Sequence, residues 1–240
     1  MRFNFQYFEY RLHTFSQYRY VNLFWLQQTF LLCRKQFDTM EENNLISDLL
    51  GQTDIYLIDQ IMKNRYGKDD TILDAGCGCG RNMRWFIKNK INLFGVDQSE
   101  AAILNLKKKY PFLPDENLQI SSVEKMPFPD NFFNHVISSA VMHFAKSVSN
   151  FKEILGESVR VLKPGGSLFI RMTSDIGIED KVELIGDGNY KIPDGSMRFL
   201  LTKNLLADCM ETFGLSFLEP LKTVNVDDVR CMSTLVLQKN

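Results

Sequence analysis

The chain has 240 residues, 45% of them hydrophobic, enough for one buried core with room for an appendage. Its 28 lysines and arginines nearly balance 29 aspartates and glutamates, so there is no overall basic field of the kind that non-specific nucleic-acid binding draws on. Cys33, Cys77, Cys79, Cys209 and Cys231 are scattered and odd in number, unlike the disulfide framework of a small secreted domain, and they fit a reducing, cytoplasmic setting.

Residues 1–39 stand apart in composition. Phe3, Phe5, Tyr7, Phe8, Tyr10, Phe15, Tyr18, Tyr20, Phe24 and Trp25 crowd them without a sustained period of two or a clean helical stripe. The segment reads as a cap, an interaction arm or an extension upstream of Met40, and residues 40–240 as the main domain. Val21 to Cys33 carries Asn22, Gln27, Gln28 and Thr29 and falls short of the ~20 apolar residues of a membrane span. Leu31 and Leu32 ahead of Cys33 are not the small residues of an export cleavage site.

From Glu41 the pattern becomes regular. Ile55, Ile58, Ile61 and Met62 share one face of a helix expected over 54–66, which Gly67 stops. Strands expected over 71–74, 93–96, 118–121, 135–138 and 167–171 alternate with helices over 81–90, 100–110 and 150–162. That alternation implies an α/β fold, a doubly wound, mostly parallel sheet with helices on both faces. Residues 174–196, rich in Gly and Asp, read as an irregular excursion. Thr202 then caps a helix ending at Gly214, and strands over 215–221 and 232–238 close the chain.

The chemistry concentrates in Thr71-Ile72-Leu73-Asp74-Ala75-Gly76-Cys77-Gly78-Cys79-Gly80-Arg81, a buried strand running into a triple-glycine turn and a helix. The glycines let the backbone turn sharply and approach a ligand, and the helix start offers free N–H groups. A dinucleotide fingerprint would need glycine where Arg81 stands, which argues against NAD or FAD. Asp74 either engages the amino end of a methionine-like ligand or caps the turn. Asp97, ending an apolar strand ~20 residues further on, suits an acid that bonds ribose hydroxyls, or an N-cap. Cys77 and Cys79 lack a second Cys/His pair at zinc spacing, so no metal site is expected. The three lysines at 107–109 read as a solvated helix end, and Met83, Trp85 and Phe86 as the buried face of a helix.

Taken in order, these motifs resemble the class I S-adenosylmethionine methyltransferases, especially the small-molecule and quinone-type branch. The likeness runs from about Ile55 to Leu168, with Asp74–Gly80 as the cofactor loop, Asp97 as the ribose acid, Ser122-Val123-Glu124-Lys125-Met126-Pro127-Phe128 as the adenine edge and Arg160-Val161-Leu162-Lys163-Pro164-Gly165-Gly166 as the turn before the fifth strand. The resemblance implies a seven-stranded sheet with an antiparallel last strand and S-adenosyl-L-methionine as cofactor. It implies contacts from Asp74, Gly76, Cys77, Gly78, Gly80, Asp97, Gln98, Ser122, Val123, Glu124 and Ser138. Ser122 stands where relatives commonly carry an aspartate.

A methyl acceptor would then face Ser138, Ser139, Met142, His143 and the segment after Arg171. Met142, Phe144, Tyr190 and Phe199 would suit a small, partly apolar acceptor or simply belong to the core. His143 is the candidate general base, but packing is the preferred reading of a single histidine in an apolar stretch. A missing base does not disqualify the enzyme, because alignment supplies much of the acceleration of methyl transfer. The alternatives are a non-catalytic cofactor-binding or scaffold protein of the same fold, and a synthase using decarboxylated S-adenosylmethionine, for which no paired acids stand out.

Overall fold

The sheet is built outward from β1 (Thr71–Ala75), whose side chains alternate between two buried faces. Ile72 points to one face with Leu93, Ile137, Phe169 and Val236, whereas Leu73 points to the other with Phe94, Val136, Leu168 and Leu235. Burial on both sides explains why these strands read as apolar runs instead of alternating with polar residues. The computed structural model describes residues 46–240, and the aromatic segment 1–39 with its boundary at Met40 lies outside them.

Helix α1 (Ile55–Met62) precedes β1, and α2 (Arg84–Lys88) leads from it to β2 (Asn92–Asp97). Helix α3 (Glu100–Lys109) then leads to β3 (Leu118–Ile120), followed by β4 (Phe133–Ser139), α4 (Val148–Val161) and β5 (Leu162–Ser174). Beyond these come β6 (Glu183–Gly186), β7 (Asn189–Lys191), β8 (Met197–Phe199), α5 (Lys203–Thr212), β9 (Leu215–Phe217), β10 (Lys222–Val226) and β11 (Arg230–Lys239). The order across the main sheet is β3-β2-β1-β4-β5-β11-β10. The first five strands are parallel, and β11 runs antiparallel to β5. Helices α1, α2 and α3 cover the Ile72 face, and α4 and α5 the Leu73 face. Thr202 caps α5 as expected, its hydroxyl accepting the Leu205 N–H at 3.1 Å.

Three expectations are corrected. The strand over 215–221 is two strands, β9 and β10, both lying on the same edge of β11. Leu218 still donates to Val236, but Pro220 has no N–H for the ladder and the chain bulges before pairing resumes at Lys222. Eight strands therefore occupy seven positions. The helix over 81–90 is only α2, because the Arg81 and Asn82 side chains turn to Asp54 instead of capping a longer helix. The excursion over 174–196 is ordered: β6, β7 and β8 form a separate antiparallel sheet that begins there and ends at Phe199.

Phe94, Phe128, Phe132 and Phe133 meet edge to face at 4.9–5.7 Å on the Leu73 side, an arrangement that adds about 0.5–1.5 kcal/mol per pair to simple burial. Arg160 fastens the loop carrying Phe128. It donates to the carbonyls of Phe128 and Met126 and to Asp130 and Glu157, while Glu157 accepts the Met126 N–H at 2.6 Å.

Candidate cofactor and active site

Strand order reverses between β1 and β4, and in open α/β sheets ligands bind beyond the carboxyl ends of the strands at such a point. Here the loops leaving the two strands touch. Gly76 has φ +79°, and a Cβ on it would lie 2.5 Å from Val141 Cγ2, so only glycine lets the loops meet. The Gly76 and Cys77 N–H groups both donate to the Val96 carbonyl at 2.9 Å, tying the loop to β2. Gly78 also has a positive φ, +52°, but a Cβ there meets nothing within 4 Å. Substitution at Gly78 therefore acts through backbone strain, not protein packing. Gly80 lies against Leu106 and Met83.

Asp97 organises the turn. One carboxylate oxygen accepts the Gly78 N–H at 2.8 Å and the other the Ser99 N–H at 2.8 Å, while Ser99 caps α3 through the Ala102 N–H. The side chain thus braces the glycine loop and lines the cleft beside it, and a carboxylate keeps lone pairs for ligand hydroxyls after accepting two amides. Asp97→Ala is expected to weaken S-adenosylhomocysteine binding by about 1–3 kcal/mol in calorimetric titration, the range for leaving buried polar groups unpaired. An unchanged affinity would remove Asp97 from the site.

The cleft holds about 300 Å³. Of the residues expected to bind cofactor, it brings together Gly76, Asp97, Gln98, Val123 and Glu124. Residues not expected to bind cofactor complete it: Ala140, Val141, Lys146, Asn150 and Ile154, together with the exposed Phe144. Asn150 is positioned by a reciprocal cap at the start of α4. Ser147 Oγ accepts the Asn150 N–H at 3.0 Å, and Asn150 Oδ1 accepts the Lys146 N–H at 3.0 Å. The Asn150 amide then reaches Glu124 at 3.1 Å. Burial would raise the Glu124 pKa, but hydrogen bonds from Asn150 and Ser122 outweigh it and hold the carboxyl below its ordinary value. The Ser147-x-x-Asn150 spacing was the available sequence signal for this contact.

Other expected residues lie outside the cleft lining. Cys77 turns into the core beside Ile72 and Met83, and burial lifts its thiol far above the ordinary range, so only its backbone serves the loop. Ser138 is fully buried with its hydroxyl unpartnered. Ser122 bonds Glu124. Asp74 lies beneath the loop, 2% exposed, with Oδ2 unpartnered; burial, and secondarily Asp97, push its pKa up to about 7 against the pull of Arg81. Met142 and Phe199 are core residues, Phe199 stacking on Phe151 at 5.0 Å. His143 is buried edge-on to Phe144, and burial with nearby arginines lowers its pKa to about 4, which leaves little driving force for taking a proton at neutral pH.

A polar junction that the sequence did not announce closes the other end of the loop. Asp54 caps α1 with one oxygen, and with the other, in a side chain 1% exposed, accepts from Arg171 at 2.8 Å and Ser139 at 3.2 Å. Arg81 bonds Ser139 at 3.0 Å and approaches Asp54 to 3.6 Å, while the Asp54 N–H donates to Asn82. The start of α1, the glycine loop and the ends of β4 and β5 are thereby fastened together.

The strand order, the antiparallel β11 and the Gly76–Asp97 cleft define the class I S-adenosylmethionine methyltransferase fold. Residues 73–170 match the methyltransferase domain family. The chain is 33% identical over 115 residues to an uncharacterized methyltransferase, YodH, of Bacillus subtilis, covering 46% of this chain and 43% of that protein. It is 28% identical over 143 residues to a demethylmenaquinone methyltransferase of Symbiobacterium thermophilum, covering 55% of each. The chain spans about half the length of these curated relatives. Its fold is similar to that of a SAM-dependent methyltransferase from Methanosarcina mazei, with TM-score 0.61, 18% identity and coverage of 75% of this chain and 96% of that one.

Proposed function

We propose that the protein transfers a methyl group from S-adenosylmethionine to a small-molecule acceptor, and that the activity resides in residues 40–240. The observation that carries this reading is one cleft, at the switch point of the sheet, lined by both the glycine turn at Gly76 and the carboxylate of Asp97. No partner in the core accounts for a buried acid at Asp74, and the two amides that Asp97 accepts leave it lone pairs to spare. The buried, unpartnered Asp74 Oδ2 fits a cationic group above the loop, and Asp97 fits a diol at the cleft wall. When bound, the cofactor supplies a methyl already activated on a sulfonium.

The chain then has to hold and align. Asp97 and Gln98 are assigned the ribose hydroxyls, Val123 and Glu124 the adenine edge, Asp74 the α-ammonium, and the Gly76–Gly80 backbone the remaining polar contacts. Phe144 and the turn after β4 border the acceptor, and His143 stays a packed, neutral ring. With alignment as the main contribution, no dedicated base is assigned. Calorimetric titration with S-adenosylhomocysteine, followed by assay of its release from S-adenosylmethionine against a panel of acceptors, tests the reading. Binding without release across the panel would favour the scaffold alternative, and no binding would end both.

A further inference from the structure

S-adenosylmethionine carries three kinds of hydrogen-bond donor: the α-ammonium, the ribose diol and the amino group on C6 of adenine. Asp74 and Asp97 answer the first two. The third needs an acceptor of its own, and among the described residues lining the cleft Glu124 is the carboxylate besides Asp97.

Glu124 is fixed in place from two sides. Asn150 Nδ2 donates to its Oε1 at 3.1 Å, and Ser122 donates its hydroxyl to the same carboxylate. Burial opposes ionisation, yet these two bonds, with the backbone and the Lys146 ammonium, keep the carboxyl below its ordinary value. The direction of the Asn150 amide is settled by its other end, because Oδ1 accepts the Lys146 N–H at 3.0 Å and so leaves Nδ2 to face Glu124. Ser147 Oγ accepts the Asn150 N–H at 3.0 Å and anchors the residue at the start of α4. A carboxylate has about four acceptor positions, so after two bonds Glu124 keeps capacity for a donor in the cleft. Ser122, spent as a donor to Glu124, is not the acceptor.

We propose that Glu124 accepts the adenine amino group and sets the purine specificity of the cleft, with Asn150 and Ser122 as the positioning residues that aim it. This deepens the methyltransferase reading and rests on it. A purine with oxygen at C6 sets one acceptor against another and leaves both unpaired, so the contact that admits adenine rejects hypoxanthine.

The test is calorimetric titration of the full chain with S-adenosylhomocysteine and, separately, with S-inosylhomocysteine, which differs by carrying oxygen at C6 of the purine and a proton on N1. The unmodified protein is expected to favour the adenosyl ligand by about tenfold or more. Glu124→Gln, nearly identical in shape, can turn its own amide N–H toward the C6 oxygen, so the preference should fall by about fivefold or more. Asn150→Ala and Ser122→Ala, which free the carboxylate to turn away, should lower the same ratio. A purely structural role in bracing α4 would weaken both ligands by one factor and leave the ratio where it was.

The proposal is overturned if the unmodified protein binds the two ligands equally, or if Glu124→Gln keeps the full preference. The positioning role of Asn150 is overturned if Asn150→Ala changes both affinities by the same factor. Failure of the unmodified protein to bind S-adenosylhomocysteine would instead end the methyltransferase reading and this proposal with it.

Discussion

Asp74→Asn is expected to make the ligand-free protein more stable at pH 8 and to weaken cofactor binding by about tenfold or more. The side chain is buried beneath the glycine loop with Oδ2 unpartnered, and burial raises its pKa from 3.8 to about 7. Because the folded protein holds this proton more tightly than the unfolded chain, the contribution of Asp74 to stability is fully present below pH 3.8 and is lost as pH rises to about 7. That gap corresponds to roughly 4 kcal/mol at pH 8, against which the desolvated asparagine amide costs about 1–3 kcal/mol. A net gain of about 2 kcal/mol in urea unfolding is therefore expected. The difference between variant and unmodified protein should shrink toward pH 4 and change sign there.

Cofactor affinity of the unmodified protein should move the other way, falling as pH drops below about 7, because only the ionised carboxylate pairs with an ammonium. Equal affinity for S-adenosylhomocysteine in Asp74→Asn would exclude Asp74 from ligand recognition. Equal stability at pH 8 would show that the carboxylate finds a partner.

Gly76→Ala carries the second large effect, a loss of about 2–5 kcal/mol, combining the steric cost of a left-handed residue with overpacking of a tight contact. The added methyl would fall 2.5 Å from Val141 Cγ2 and 3.0 Å from Cγ1, where two loops meet at the cleft. Pairing it with Val141→Ala removes the two methyl clashes but leaves Val141 Cβ at 3.3 Å and the φ of +79°, so the double variant should recover part of the loss and no more. Chemical denaturation of the four proteins of this cycle measures the division. Strict additivity of the two substitutions would mean that the loops do not touch in solution.

The stretch from β1 to α4 was legible because its strands are apolar on both faces and its glycines and acids fall at strand ends, where chain reversal and ligand contact require them. Gly76, Asp97, Gln98, Val123 and Glu124 reach the cleft for that reason. Lys146, Asn150 and Ile154 were not legible as site residues. Their sequence announces only a helix start, and their position over the cleft follows from how α4 lies on the sheet. Strands β6 to β8 escaped notice because the Glu183–Gly186 strand is exposed throughout and shows no alternation. Asp54 reads only as the start of a helix; it caps that helix, and its second role depends on partners that sequence order hides.

The Asp54–Arg171 pair joins residues 117 positions apart, so the polar junction behind the cleft cannot form until β5 has reached the sheet. Closing so long a loop is unfavourable until many non-local contacts repay it. The glycine turn and its Asp97 brace, only 19 residues apart, have no such wait. The Asp97 end of the glycine loop is therefore built from early, local contacts and the Asp54 end from late, distant ones. In pulsed hydrogen exchange during refolding, the amides of the Asp97 turn should be protected before those around Asp54, and a chain released from synthesis before residue 171 has emerged would hold one half of its site without the other.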